Sequence, residues 1–445
     1  MTGDALSTWV DADRLTQWVH DSRRRVEELV EDLSDEQLVG PLIATINPLI
    51  WEIGHLTWFQ EKFFLRDALQ REPIIAHCDA LWDSGAVPHD TRWFLDLPSR
   101  DDTLAYMGQV RDRVAEAVAA GLPPAWHRLA LYTVFHEDTH TEALTYTRQT
   151  LQYPAPTIAQ LSDTAPDTVV DAGAHRGDVD IDGGTFLLGA TGAEPFVYDN
   201  EKWCHRVEVQ PFSIAKAPVT QAQFAEFVED GGYQRPLLWS RPGWSWRTRT
   251  RADHPVYWRR SDSGWERRVF DAWRPLEPDR PVVHVCWYEA EAFCGWAGRR
   301  LPTEAQWELA ATGAAGATDG GGGLGTTKRR YPWGDEDPAA QHANLDWRAM
   351  DTVDVAAYPA GDSVYGCRQM IGNVWEWTGS TFAPYPNFEQ DTYRDNSWPW
   401  FGSRKGLRGG AWATRGRYVR NTYRNYFTPD RRDVYAGFRT CVSGG

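Results

Sequence analysis

The stretch FHEDTHTEAL, residues 135–144, decides how the first half of this chain is read. His136 and His140 stand four residues apart, so on a helix their imidazoles lie about one turn apart on one face. Two neutral imidazoles so placed can hold one first-row transition metal from a rigid support. A third histidine, His55, lies in WEIGHLTWFQEKF, residues 51–63, which also reads as helix. If the two helices pack together, they form a three-histidine site with open positions, suited to metal chemistry rather than storage. Glu142 follows His140 by two residues, about 200° around a helix. It therefore faces away from the metal side and is read as an outer-shell or packing residue. A centre of two histidines and one carboxylate, using Glu137 or Asp138, is the competing reading.

The pattern around this stretch is helical up to residue 152. Residues 11–33 repeat apolar side chains at spacings of three and four: Leu15, Trp18, Val19, Val26, Leu29 and Val30. Further helices are read over 48–69, 101–120 and 124–152. Four long helices in this order point to an up-and-down bundle, a scaffold that builds metal sites from inward-facing side chains. Residues 153–176, rich in Pro, Ala, Asp and Thr, read as a linker.

From residue 177 the texture changes to short, Gly-bounded, β-like segments. Helices are expected at 220–230 and 287–297. A third begins at Thr303, with Gln306 three residues on as in a capping box. The low-complexity run 313–330 reads as a surface loop. The 24 Trp and 38 Gly mark a loop-rich domain whose irregular backbone is pinned by indoles. The fold class is therefore α+β, with a helical bundle over 1–152, a linker over 153–176 and a second domain over 177–445.

Composition narrows the function. The 445 residues suffice for two or three domains. A formal charge of -16 argues against nonspecific nucleic-acid binding and against docking on anionic membranes. No stretch is long and apolar enough to span a bilayer. The opening MTGDALSTWVDADRL has early acids and no apolar core of a secretory signal, so a cytoplasmic location is the default expectation. Six scattered cysteines form no CxxC pair, and Cys286 and Cys294 read as buried thiols.

Several segments carry a resemblance. GGTFLLGA (183–190), PVTQAQFAEFV (218–228), PVVHVCWYEAEAFCGWAGRRLPTEAQWELAA (281–311), YPWGDEDP (331–338), MIGNVWEWTGSTF (370–382), LRGGAW (407–412) and AGFRTC (436–441) occur in order. Together they resemble the formylglycine-generating-enzyme-like domain, also called the sulfatase-modifying factor domain, which has a C-type-lectin-like fold. The first half resembles a DinB-like four-helix bundle with an HxxxHxE motif at His136, His140 and Glu142. The fusion of the two is similar to the ergothioneine-type synthases. These comprise the EgtB-like hercynine sulfoxide synthases and the SenA-type selenoneine synthases. Formylglycine generation itself is not expected, because GGAWATRGRYVRNTYRNYF (409–427) lacks the copper-binding cysteines of that enzyme.

The resemblance implies Fe(II) held by His55, His136 and His140. Three octahedral positions then remain for hercynine, O2 and a selenosugar or thiol donor, and a C–Se or C–S bond forms on the imidazole ring. Three histidines suit zinc equally well on geometry, so the metal is named by the resemblance alone. In the tail NTYRNYFTPDRRDVYAGFRTC (421–441), Asn425 is expected to bind the hercynine carboxylate and Tyr426 its trimethylammonium. Tyr385 is a further aromatic and catalytic candidate. Phe427 stands where users of γ-glutamylcysteine carry an acid, while Arg431 matches the basic position that follows. Thr139 stands where a Gln often contacts the substrate imidazole. Trp93 and Phe94 replace tyrosines of a cysteine-using branch, which leaves Arg92 as a donor-binding candidate or a surface ion pair. These departures favour selenoneine synthesis from a selenosugar. The alternatives are a sulfoxide synthase using cysteine or γ-glutamylcysteine, a zinc-dependent DinB-like hydrolase or transferase, and a non-catalytic binding protein with a relic metal site.

Overall fold

The computed structural model describes residues 9–159, 172–313 and 328–443. Linker residues 160–171 and most of the low-complexity run 313–330 lie outside the described residues. The chain divides into two compact units, residues 1–160 and 161–445.

The first unit is a bundle of four long helices. They are α1 (Ala12–Glu28), α3 (Leu49–Gln60), α5 (Arg100–Ala119) and α6 (Pro124–Leu151), with short helices α2 (Asp35–Val39) and α4 (Cys78–Trp82) between them. Asp11 caps α1 by accepting from Arg14 N, Ser34 and Gln37 form a capping box on α2, and Ser99 caps α5. Helix α3 continues as a π-helical segment, Glu61–Ala68. Leu15, Val19, Val26, Leu56, Phe59, Val110, Val114, Leu131 and Phe135 are fully buried between the helices.

The order of the helices differs from a simple up-and-down bundle. Helices α1 and α3 each pack on both α5 and α6, so α1 and α3 face each other across the diagonal. The long connections 29–48 and 69–99 make this crossing possible. The buried Arg23 guanidinium bridges α1, α3 and α6. It bonds Thr57 Oγ1 at 2.5 Å and Gln60 Oε1 at 3.2 Å, and it pairs with Glu137 at 3.0 Å.

The second unit combines four small sheets with helices α7 (Gln221–Glu229), α8 (Arg241–Thr250), α9 (Trp287–Ala297) and α10 (Glu304–Thr312). The strands are β1 (Asp178–Ile181), β2 (Gly184–Leu188), β3 (His205–Val209), β4 (Phe212–Ala215), β5 (Trp258–Ser261), β6 (Gly264–Val269), β7 (Ala272–Pro275), β8 (Arg299–Arg300), β9 (Trp375–Thr381), β10 (Lys405–Arg408), β11 (Asn425–Phe427), β12 (Ala436–Gly437) and β13 (Cys441–Val442). The sheets run β1-β4-β13-β8, β11-β10-β9-β12, β2-β3 and β5-β6-β7. Capping boxes open α7 at Thr220 and α10 at Thr303. Helix α8, RPGWSWRTRT, escapes a periodicity reading because Pro, Gly, Trp and Thr are weak helix formers. Cys286 and Cys294 are buried.

So little regular structure leaves many backbone groups to be satisfied by side chains. Buried indoles do part of this: Trp377 donates to Val285 O, and Trp287 to Thr378 O. Buried arginines do the rest. Arg439 is fully buried, grips both oxygens of Glu376 at 2.6 and 2.7 Å, and donates to the carbonyls of residues 215, 216, 368 and 369. Removing one member of such a pair strands a buried charge, at a cost of about 3–5 kcal/mol. Arg439→Met should therefore lower the unfolding free energy by that amount, read from the denaturant midpoint of tryptophan fluorescence. An unchanged midpoint would show that the pair does not hold the unit.

Candidate metal centre

Helices α3 and α6 pack against each other and bring His55 to His136 and His140. Gly54 makes the approach possible. A Cβ there would meet Trp82 Nε1 at 2.1 Å, so only glycine lets the Trp82 indole lie on the helix. Trp82 in turn offers its carbonyl to His55 Nδ1 at 2.8 Å. Rings fix the remaining freedom: Trp51 stacks on His55 at 4.9 Å, and Phe59 stacks on His136 at 3.5 Å.

Hydrogen bonds assign the tautomers. A carbonyl only accepts, so His55 Nδ1 carries the hydrogen and Nε2 keeps its lone pair. His140 Nδ1 lies 2.5 Å from Glu52 Oε1, which leaves His140 Nε2 as the other available nitrogen. That Nε2 lies 3.2 Å from His136 Nε2. One proton or one cation must sit between them. Burial pushes His136 well below its ordinary value and His55 down to about 3, and neighbouring His140 adds to both shifts, so these two rings are neutral. Burial alone would raise the Glu52 carboxyl, but His140, His55 and Asn47 together outweigh it and bring it to about 2.

One ligand atom from each histidine lies within 4.8 Å of the others. The neutral rings of His55 and His136 and the convergent nitrogens of all three histidines fit a divalent transition metal. No carboxylate joins this group among the described residues. Glu137 is spent in the core pair with Arg23, which removes it from the competing two-histidine reading. The residue that sequence reasoning missed is Glu52. It precedes His55 by three residues on the same helix face, and that spacing was the available signal.

The remaining candidates fall in different surroundings. Thr139 donates its hydroxyl to His136 O at 2.7 Å. Arg92 lies over Trp51 at 3.9 Å and bonds Asn47 Oδ1 at 2.6 Å, so it is woven into the helical unit instead of forming a surface ion pair. Trp93 donates to Gly40 O, while Phe94 is exposed.

In the second unit Asn425, Tyr426 and Phe427 form β11, paired with β10. Tyr426 N bonds Asn425 Oδ1 at 2.8 Å. The Tyr426 ring stacks on Phe382 at 4.1 Å, and its hydroxyl donates to Asn396 O. Arg431 lies over Phe427 at 5.0 Å and pairs with Asp433 through two bonds, at 2.6 and 2.7 Å. Tyr385 is buried in the core beneath the Arg424 guanidinium, at 4.2 Å. Burial pushes its phenol well up. Tyr385 thus sits in core surroundings.

Comparison with known proteins follows the same division. The DinB superfamily model matches residues 19–149, and the sulfatase-modifying factor enzyme 1-like domain model matches residues 165–443. A hercynine oxygenase of Mycolicibacterium smegmatis is 35% identical over 432 residues, covering 94% of this chain and 96% of its own length. One of Mycolicibacterium thermoresistibile is 36% identical over 448 residues, covering 99% and 96%. The chain belongs to the hercynine oxygenase family. A formylglycine-generating enzyme of Streptomyces coelicolor is 33% identical over 302 residues, covering 59% of this chain and 88% of its own length. Among the described residues no helix is long and apolar enough to cross a membrane.

Loss of one ring should empty the site. Anaerobically purified His136→Ala is expected to carry far less iron than wild type by elemental analysis. Equal iron in both would remove the assignment.

Proposed function

We propose that this hercynine oxygenase family member is an iron(II)- and O2-dependent synthase acting on hercynine. It forms a C–Se or C–S bond on the imidazole ring, and the favoured donor is a selenosugar. The observation that carries this reading is the convergence of His55, His136 and His140 in a chain similar to hercynine oxygenases over nearly its full length. Iron(II), when bound, would supply a template and a redox centre through which electrons pass from the chalcogen donor to O2.

The protein side chains bind and orient. Asn425 has its amide oxygen engaged by Tyr426 N, which leaves the NH2 to donate to the betaine carboxylate. Tyr426 offers an aromatic face to the trimethylammonium, held in place by Phe382 and by the bond to Asn396 O. Thr139 spends its proton on His136 O, so its oxygen is an acceptor suited to an imidazole N–H.

The donor is argued from charge. γ-Glutamylcysteine carries two carboxylates and an ammonium, and recognising them takes free ions of opposite sign. Phe427 is apolar, and Arg431 is already neutralised by Asp433. This favours an uncharged, hydroxyl-bearing donor. The sulfur alternative keeps the same metal and hercynine residues and changes only the donor.

Iron-loaded enzyme with hercynine and O2, given a selenosugar, cysteine or γ-glutamylcysteine in turn, tests both levels. The selenosugar should give the highest kcat/KM by product mass spectrometry. A preference for a thiol would overturn the donor, and no consumption of hercynine with any donor would overturn the function. Tyr426→Leu should raise the hercynine KM by about 5–30-fold, the worth of a cation–π contact of about 1–2 kcal/mol. An unchanged KM counts against the cage.

A further inference from the structure

Two of the three histidines are tied to one guanidinium, and the ties run through different chemistry. The first is polar. His140 Nδ1 bonds Glu52 Oε1 at 2.5 Å, Glu52 Oε2 accepts from Asn47 Nδ2 at 2.5 Å, and Asn47 Oδ1 accepts from Arg92 at 2.6 Å. The second is stacked. The same guanidinium covers Trp51 at 3.9 Å, and Trp51 lies parallel to His55, 7° between planes. Trp51 is locked along its other edge by donation to Leu81 O at 2.7 Å. Arg92 is itself held by the carbonyls of Val87 and Ser84 at 3.2 and 3.4 Å. His89 Nε2 bonds Ile46 O at 2.7 Å and fastens the Arg92 segment beside Asn47.

We propose that Arg92 and Asn47 are positioning residues of the metal centre, setting the orientation of His140 through Glu52 and of His55 through Trp51. The proposal rests on reading the three histidines as the metal site, and it replaces the sequence expectation that Arg92 binds the donor.

The amide of Asn47 is the directional element. An amide can donate on one side and accept on the other, and rotating it by half a turn exchanges the two. Arg92 has only donors, so it forces Oδ1 toward itself and Nδ2 toward Glu52. With its second oxygen taken, Glu52 keeps Oε1 on His140 Nδ1 and thereby keeps His140 Nε2 free for the metal. Carboxylates placed behind metal-binding histidines act in this way, and their loss typically costs about 10–100-fold in metal affinity. Here the support extends two residues further, through Asn47 to the Arg92 guanidinium. The stacked arm gives the same cation a second purpose, because a flat guanidinium fills the face of Trp51 that His55 does not.

A donor-binding arginine and a metal-positioning arginine differ in what changes when no substrate is present. Full-length apoenzyme is titrated anaerobically with Co(II) alone, reading affinity and the visible d–d bands. Wild type, His136→Ala, Asn47→Leu, Arg92→Met and Arg92→Lys are compared. Arg92→Met and Asn47→Leu should weaken Co(II) binding by about 10–100-fold and shift the bands. Arg92→Lys keeps the charge but loses the fork and the stack, so it should fall between Arg92→Met and wild type. Far-UV circular dichroism of each apoprotein reports folding. If Arg92→Met does not fold, Arg92→Lys and Asn47→Leu decide. Wild-type affinity and bands in the folded Arg92 and Asn47 variants overturn the proposal, all the more if the donor KM alone rises. If wild type binds no Co(II), or His136→Ala binds it equally well, the metal reading itself fails, and that outcome is distinct from the first.

Discussion

The Nε2 atoms of His136 and His140 face each other at 3.2 Å inside a helical bundle. Glu52 accepts at His140 Nδ1, and burial keeps His136 neutral. Two lone pairs at that distance repel unless a proton or a cation lies between them. His55 brings a third lone pair to the same point, its own hydrogen spent on Trp82 O. A bundle core that gathers three imidazole nitrogens, with the buried Glu52 carboxylate behind one of them, suits a cation. Much of the helical unit serves this convergence, from the missing side chain of Gly54 to the indole of Trp82 and the stacking faces of Trp51 and Phe59.

The second unit solves a different problem. Its backbone is mostly irregular, and buried ions and indoles stand in for sheet hydrogen bonds. Arg408 and Arg424 share Glu304, Arg439 holds Glu376, and Arg267 and Arg280 share Asp351. Each arginine presents a fan of donors that can reach several carbonyls at once, which a lysine cannot do. Such a scaffold can change its surface residues without losing its frame.

The sequence made some of this legible and hid the rest for physical reasons. The spacing of His136 and His140 was readable because both lie on one helix. The capping boxes at Thr220 and Thr303 were readable because their partners are three residues away. Glu52 offered only its three-residue spacing from His55, because its partner His140 lies 88 residues further on in the chain. Arg92 drew attention as a charged residue near the site, but nothing local says that its fork is consumed by Asn47 and two carbonyls. Glu137, one of two carboxylates named for the competing reading, pairs with Arg23, a contact set by which face of α6 meets α1. Tyr385 is buried beneath Arg424, and a tyrosine in an irregular segment carries no periodicity to betray its burial.

The central claim is that three imidazoles, and no protein carboxylate, hold the metal. Iron K-edge X-ray absorption on the anaerobic Fe(II) enzyme counts imidazoles directly through their multiple scattering. The account predicts three imidazole ligands in wild type and two in His55→Ala. Two imidazoles in wild type, unchanged in His55→Ala, would contradict it.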